Sequence, residues 1–444
     1  MNTLIGIFLV LGVMILVHEW GHFIVARFFG VRVDVFSIGF GPRLFGFKWG
    51  ATDYRISALP LGGYVRMAGQ DLSEVDSNDV APTGAPDELM SKPRWQRALI
   101  SFAGPAVNLI MPILLLAGFF AIKGLPYPAY LDKPIVLSGL PQTSPLVKAG
   151  VTDGDQIVSV NDVPTPTWSK ANSYLVQAAQ DGMLRLKINR QGTQRVVEVK
   201  ATDIRNTDRA LGNLPIPALV GPVERGMPAS RAGLKRGDLI VAVNGTPVGS
   251  WYDFFDQIRH SNGRMLNTTI RRNGTEMTVA IHPVQDKDED GQVAWRIGVG
   301  PGGEWAFKDM TLTASVKEAS DETAGATAKL FGVLGRLFSG KLSVRQLRSF
   351  VGIAALAGQA VEEGPVDVIN MMAMISLNLG ILNLLPIPIL DGGNILLLTL
   401  EGIRRRDFSL AFKERFVQVG LVFLLVFFAY VMYNDVVRLL PTHS

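Results

Sequence analysis

Four long apolar runs punctuate the chain, at about residues 4–29, 98–122, 366–390 and 416–433. At about 1.5 Å of rise per residue, each is long enough to cross roughly 30 Å of hydrocarbon as a helix, with kinks where Gly or Pro falls. The first run also fits the apolar core of a signal peptide. No basic segment precedes it and no small-x-small cleavage pattern follows, so it is read as a retained span. Between the first two runs the period changes. Val33-Asp-Val-Phe-Ser-Ile-Gly-Phe-Gly-Pro42 and Asp53-Tyr-Arg-Ile-Ser-Ala-Leu-Pro-Leu-Gly-Gly-Tyr-Val-Arg66 alternate over short stretches broken by Gly and Pro, which predicts strands and hairpins beside the membrane. Residues 71–92 are acidic and contain Pro, and are expected to form a mobile loop. Within 311–360, Leu330–Phe338 and Phe350–Leu356 are amphipathic or weakly apolar and too short to span, so interfacial helices are expected.

The long segment between the second and third runs contains a repeat. Pro145-x3-Ala149-Gly150-x3-Gly154-Asp155-x-Ile157-x2-Val160-Asn161 returns as Pro228-x3-Ala232-Gly233-x3-Gly237-Asp238-x-Ile240-x2-Val243-Asn244. Two copies in register mean two tandem β-rich modules, each passing from a helical turn through a Gly-Asp turn into a buried strand and an Asn-led turn. The pattern resembles the PDZ domain, which takes extended peptides by strand addition. A duplicated spacer is the plainer alternative.

Charge sets the expected orientation. Arg27, Arg32, Arg43, Lys92, Arg94 and Arg97 lie between runs one and two, and Arg404, Arg405, Arg406, Lys413 and Arg415 between runs three and four. The positive-inside rule puts both loops in the cytoplasm, and the repeats on the other side. The 444 residues, 48% hydrophobic with a mean hydropathy of +0.25, are too apolar for an ordinary soluble enzyme. Cys is absent, which excludes disulfides and thiolate-ligated zinc. The net charge of +4 is modest and no Lys/Arg tract is interleaved with aromatics, so nucleic acid is not an expected partner.

The chemistry-bearing motif is His18-Glu19-Trp20-Gly21-His22, at the cytoplasmic end of the first run. On a helix, residues four apart share a face, so both imidazoles can grip one metal ion while Glu19 serves as general base. Ionisable groups at membrane depth are costly and mark function. A hydrolytic zinc site needs a third ligand. The metzincin extension fails, because Val25 and Phe28 stand where Gly and His would be required. His260, His282 and His443 fall on the wrong side of the membrane. Asp391 is the best candidate, after Asn383-Leu-Leu-Pro-Ile-Pro-Ile-Leu, where Pro386 and Pro388 break the helix on the same side as His22.

HExxH in the first span, Asn-x2-Pro-x-Pro-x-Leu-Asp-Gly in a later one and paired PDZ-like repeats between them resemble the site-2 protease family of intramembrane zinc metalloproteases. The resemblance covers nearly the whole chain, including Phe36–Pro42, Pro60–Val65 and Ala103-Gly-Pro-x2-Asn108. It implies a polytopic α-helical membrane protein of four transmembrane helices with a membrane-associated β region and two inserted PDZ-like domains. The expected division is 1–122, 123–210, 211–305, 306–365 and 366–444. It implies Zn²⁺ held by His18, His22 and Asp391, with Glu19 as base, in a bacterial inner membrane. It further implies that Leu61, Gly62, Gly63 and Tyr64 form a strand pairing with substrate, and that Pro386 and Pro388 lie beside it. Asn378, Asn383 and Asn108 carry two readings: contact with substrate, or hydrogen bonding between helices. The implied partners are single-span membrane substrates, such as trimmed anti-sigma factors or remnant signal peptides, together with peptide segments at the PDZ-like grooves and the bilayer. Two departures stand out. Asn394 follows Leu-Asp-Gly-Gly where the family commonly has His, and Phe350-Val-Gly-Ile lacks a familiar Gly-Pro pair.

Overall fold

The computed structural model describes residues 6–70, 83–171, 182–206, 210–224, 226–287, 293–339 and 350–439. Contacts divide the chain into one unit of residues 1–125 with 309–440 and another of 126–308.

Among the described residues of the first unit, four helices are long and apolar enough to cross a membrane: Val10–Phe28, Arg94–Lys123, Pro365–Asn383 and Ala411–Tyr433. The first begins with π-helical turns at Ile7–Gly12 and continues as α1, Val13–Phe28. The second is α2, Arg94–Lys123, which contains Pro105 and Pro112. Pro112 has no N–H, so the carbonyl of Asn108 loses its helical partner. The Ser376 hydroxyl takes that place, donating to the Asn108 carbonyl at 2.9 Å.

Between α1 and α2 lie β1, Val33–Trp49, and β2, Thr52–Met67. Each strand folds back on itself, and the register makes a four-segment sheet. Residues 35–38 pair with 63–66 in antiparallel register and, on their other edge, with 53–56, while 43–49 close a hairpin on 52–57. The Gly63–Met67 segment is therefore an edge. The inner face packs Val33, Phe36, Val65 and Met67 against Ala26 and Ile100.

The acidic stretch expected to be mobile lies outside the described residues as far as 82. Residues 83–92 are instead held in place: the buried Glu88 carboxylate accepts from the Thr83 and Gly84 amides and the Thr83 hydroxyl. Helix α4, Leu312–Phe338, follows the second unit in sequence (α3 belongs to that unit) and is longer than the Leu330–Phe338 stretch predicts. Its Ala319 packs on Leu116, Ala117 and Phe120 of α2. Helix α5, Phe350–Glu363, seats Ala357 against the backbone of Gly6, where an added Cβ would lie 2.5 Å away. The third apolar run, 366–390, is divided, as the two prolines predict. Helix α6, Pro365–Asn383, stops before Pro386 and Pro388, and α7 starts at Asp391 and runs to Arg404. Pro disfavours helix in the residue before it and removes a donor, which ends α6 seven residues early. Helix α8 spans Leu410–Leu439.

The second unit repeats one element order. The first module has β3 (Ile135–Val136), a helical turn at Pro145–Lys148, β4 (Gln156–Val160) and the hairpin β5 (Met183–Arg190) and β6 (Thr193–Lys200). The second has β7 (Val220–Val223), a helical turn at Pro228–Arg231, β8 (Leu239–Val243), α3 (Trp251–Arg259) and the hairpin β9 (Leu266–Arg272) and β10 (Thr275–Ile281). Each has its own core. One is centred on Ile135, Leu146, Ile157 and Leu186, with Leu211 and Leu214 against it; the other is centred on Val220, Ile240, Phe254 and Ile270.

The repeated residues have matching structural tasks. Asn161 and Asn244 turn at positive φ, and their side chains accept from the amides of Arg185 and Asn267. Asp155 is buried and takes two 2.6 Å hydrogen bonds from Arg190; Asp238 is held the same way by Arg272. The Arg190 hydrogen bonds hold the Asp155 carboxyl below its ordinary range, against the opposing effect of burial. The depressed value means that this stabilisation is complete above about pH 4, near the unfolded-chain value, and is lost as pH falls through the lower folded value. Asp155→Ala, which leaves Arg190 unpaired, is expected to destabilise the first module by roughly 3 kcal/mol, read from denaturant unfolding at pH 7. The deficit relative to wild type shrinks as the measurement is moved towards pH 2.

Candidate metal centre

His18 and His22 face the same side of α1, one turn apart, with their rings edge to face and centroids 4.9 Å apart. Asp391 opens α7, where the positive end of the helix favours a carboxylate. The His18 and His22 Nε2 atoms are 3.3 Å apart. Asp391 Oδ2 lies 3.2 Å from His18 Nε2, and Oδ1 lies 3.4 Å from His22 Nε2. Among the described residues this is the one group of His, Cys, Asp or Glu placed to hold a metal ion.

The spacing tests whether zinc fits. Ligand bonds of about 2.0–2.1 Å in tetrahedral geometry put neighbouring donors about 3.3 Å apart. The two nitrogens stand at that edge length, and each lies at a similar distance from one oxygen of the Asp391 carboxylate, so the three residues fit a zinc ion between them. The ring chemistry agrees at His22, whose Nδ1 lies 2.8 Å from the Ile100 carbonyl. A carbonyl only accepts, so Nδ1 carries the proton and Nε2 keeps its lone pair for a metal.

Close helix packing makes this possible. A Cβ on Gly21 would lie 2.6 Å from the Ala103 carbonyl oxygen, and one on Gly104 would lie 2.3 Å from His22 Nε2. Small residues at both positions let α1 and α2 approach. The turn before Asp391 is built similarly. Added Cβ atoms on Gly392 and Gly393 would sit 2.3 Å from the carbonyl oxygens of Leu384 and Leu385 and of Ile387. Ile389 adopts φ of 79°, a left-handed conformation that costs a β-branched residue roughly 1–3 kcal/mol.

Glu19 lies between the histidines and the sheet. The Val65 amide donates to its carboxylate. Its Cγ would be 3.1 Å from a Cβ on Gly63, so only Gly lets the edge strand approach this closely. Gly62 has φ of 149°, and a Cβ there would strike the Phe40 ring at 2.2 Å. Tyr64 stacks on Phe40 with centroids 6.0 Å apart and receives a hydrogen bond from Arg55. The Leu61 side chain lies outside the described residues.

The asparagines separate. Asn383 Nδ2 is 3.2 Å from His18 Nε2, and Asn108 Nδ2 is 3.1 Å from His18 Nδ1. Asn378, half-buried, precedes Asn383 by five residues and so sits about 140° away around α6. Pro386 and Pro388 form the connection between α6 and α7. Sequence reasoning did not find the Ile100 carbonyl, the Val65 amide or the Ser376 hydroxyl. Only the last had a signal, a Pro four residues after Asn108.

Two imidazoles, a carboxylate and a second carboxylate alongside, set among apolar helices, have the composition of a hydrolytic metal centre embedded in a membrane. The pattern of peptidase family M50 matches residues 6–427. A protein of Neisseria meningitidis described as a zinc metalloprotease is 32% identical over 462 residues, covering 99% of this chain and 100% of its own. Protease RseP of Yersinia pestis is 32% identical over 461 residues, 98% of this chain and 99% of its own. The regulator of sigma-E protease RseP of Escherichia coli K12 is 32% identical over 458 residues, 97% of each. The chain belongs to peptidase family M50, the site-2 proteases.

Removing the ligand furthest away in sequence tests the centre directly. Asp391→Ala is expected to bring zinc in the purified protein well below one equivalent, measured by elemental analysis. Stoichiometric zinc in that variant would put the third ligand elsewhere.

Proposed function

We propose that this protein is an intramembrane zinc metalloprotease of the bacterial inner membrane. It hydrolyses a peptide bond in or near the transmembrane segment of single-span proteins, in regulated intramembrane proteolysis. The observation that carries this reading is the convergence of His18, His22 and Asp391, whose carboxylate oxygens lie 3.2 and 3.4 Å from the two Nε2 atoms, with Glu19 one residue from His18. When bound, zinc supplies a Lewis acid for the scissile carbonyl and acidifies water towards a pKa of about 7.

The chain's own residues do the rest. Glu19 takes a proton from the attacking water and returns it to the leaving amine. The Val65 amide keeps the Glu19 carboxylate oriented. The substrate must first be made accessible, because a transmembrane helix hides its carbonyls in its own hydrogen bonds. The Gly63–Met67 edge offers strand pairing as an alternative, with Leu61, Gly62, Gly63 and Tyr64 along the substrate. Asn383, beside His18, and Pro386 and Pro388, just beyond it, line the approach; Asn378 contributes from the same helix.

The repeats act as PDZ-like modules on the periplasmic side, and the metal lies towards the cytoplasmic face, as the distribution of Lys and Arg supports. The modules admit substrates already trimmed of a bulky extracytoplasmic domain. Anti-sigma factors and remnant signal peptides fit that class; two of the relatives are named regulator of sigma-E protease. A PDZ scaffold with a structural metal site is the competing reading. Glu19, a carboxylate beside the cluster that a purely structural site would not need, counts against it.

Two measurements bear on this. Glu19→Gln is expected to lower cleavage of a single-span substrate by at least about 100-fold while zinc stays bound, since the base is lost and the ligands are not. A variant that cleaves normally would sink the assignment. Deleting about residues 130–300 and rejoining the ends is expected to leave catalysis in place and to allow untrimmed substrates to be cut. Slower cutting of trimmed and untrimmed substrates alike, with discrimination intact, would mean that the modules recruit rather than filter.

A further inference from the structure

Asn108 is wholly buried, with its Nδ2 against His18 Nδ1 and its Oδ1 buried without a hydrogen-bond partner. The other ring nitrogen of His18 also faces an amide nitrogen, that of Asn383. An amide NH2 only donates, and an imidazole has at most one nitrogen able to accept. Both amides therefore cannot donate to His18 at once. A metal at Nε2 sharpens the conflict, because Nδ1 must then carry the proton and needs an acceptor. Amide oxygen and nitrogen are nearly identical in shape, so a half-turn about Cβ–Cγ exchanges them within the same space. The Asn108 oxygen is buried without a donor, so the exchange breaks no hydrogen bond at that end.

We propose that Asn108 is a positioning residue for the metal centre: its Oδ1 accepts the Nδ1–H of His18, fixing the tautomer whose Nε2 lone pair points at the metal. This inference rests on the metalloprotease reading and adds a residue to it. It makes α2 the common support of both histidines, with the Ile100 carbonyl holding His22 and the Asn108 amide holding His18. The support is itself anchored. The Asn108 carbonyl freed by Pro112 is held by Ser376 of α6, a fully buried hydroxyl, which fixes Asn108 along the helix.

The test is zinc affinity of the full-length protein in detergent, by chelator competition, for wild type, Asn108→Leu and Asn108→Asp. Leu keeps the volume and offers no acceptor. Asp can only accept when ionised, so it replaces the proposed oxygen but not an amide donor. The expected result is affinity weaker by about 10–100-fold for Asn108→Leu, the usual effect of losing such a partner. Asn108→Asp should bind zinc at least as tightly as wild type, within about threefold. Equal affinity in wild type and Asn108→Leu would overturn the assignment, as would an Asp variant as weak as the Leu variant. A measurement on unaltered protein guards against misfolded variants. Nitrogen-15 NMR of labelled histidine in the zinc-loaded wild type should show His18 protonated at Nδ1 and metallated at Nε2. Metallation at Nδ1 would overturn the proposal while leaving the metalloprotease reading intact. A wild type that takes up no zinc would end both.

Discussion

The approach of α1 and α2 at Gly21 and Gly104 is the constraint on which the site depends. Two helices with ordinary side chains at those positions would stand apart, and His22 would lose the Ile100 carbonyl that sets its tautomer. The cost of burying ionisable groups among apolar helices is offset only if each is paired. Here every donor has a partner from another element: His22 from α2, Asp391 from both histidines, Glu19 from β2. The packing and the polar pairing are one solution, since removing the close approach also removes the partners.

The Asp391 side of the centre is held differently. α1 supplies its ligands from the middle of a regular helix, whereas Asp391 hangs from an irregular turn of residues 384–390. That turn carries two prolines and the left-handed Ile389, and folds tightly against Gly392 and Gly393. A Cβ on Gly420 of α8 would lie 2.4 Å from Pro388, so the last span backs the turn from outside. Strain of this kind persists only where surrounding structure over-determines it. The Asp-Gly-Gly sequence is thus explained by backbone clearance.

The cluster of His18, His22 and Asp391 was legible in the sequence because its signals are local. Four-residue spacing places two histidines on one helical face, and two prolines ahead of an Asp-Gly-Gly announce a broken helix. The repeat was legible for a related reason: Asp155, Asn161, Asp238 and Asn244 are side chains that satisfy backbone or guanidinium groups, so identity reports structure. What stayed hidden was carried by backbone. The Ile100 carbonyl and the Val65 amide are groups any residue would offer, and their placement depends on how segments far apart in sequence pack. Helix α4 was underestimated because its contact face is made of Ser315, Ala319 and Thr323, small and partly polar residues that give no apolar stripe. The break in the third run was legible in Pro386 and Pro388, but its start at Asn383 was not, because hydropathy does not distinguish helix from an apolar turn.

The proposed chemistry joins two requirements that are usually separate. A protease acting on a helical substrate must convert it to an extended form and must then bring a base to the exposed carbonyl. Here both tasks meet at Glu19, whose carboxylate is held by the Val65 amide and packed against Gly63 of the edge strand. A substrate segment adding to that edge would load the same backbone that orients the base. Strand pairing and base positioning are then mechanically linked. An intact helix cannot engage the edge, and its carbonyls stay in its own hydrogen bonds, out of reach of the base. Selectivity for unwound substrate would in that case arise at the edge strand beside Glu19, independently of any screening by the repeat modules.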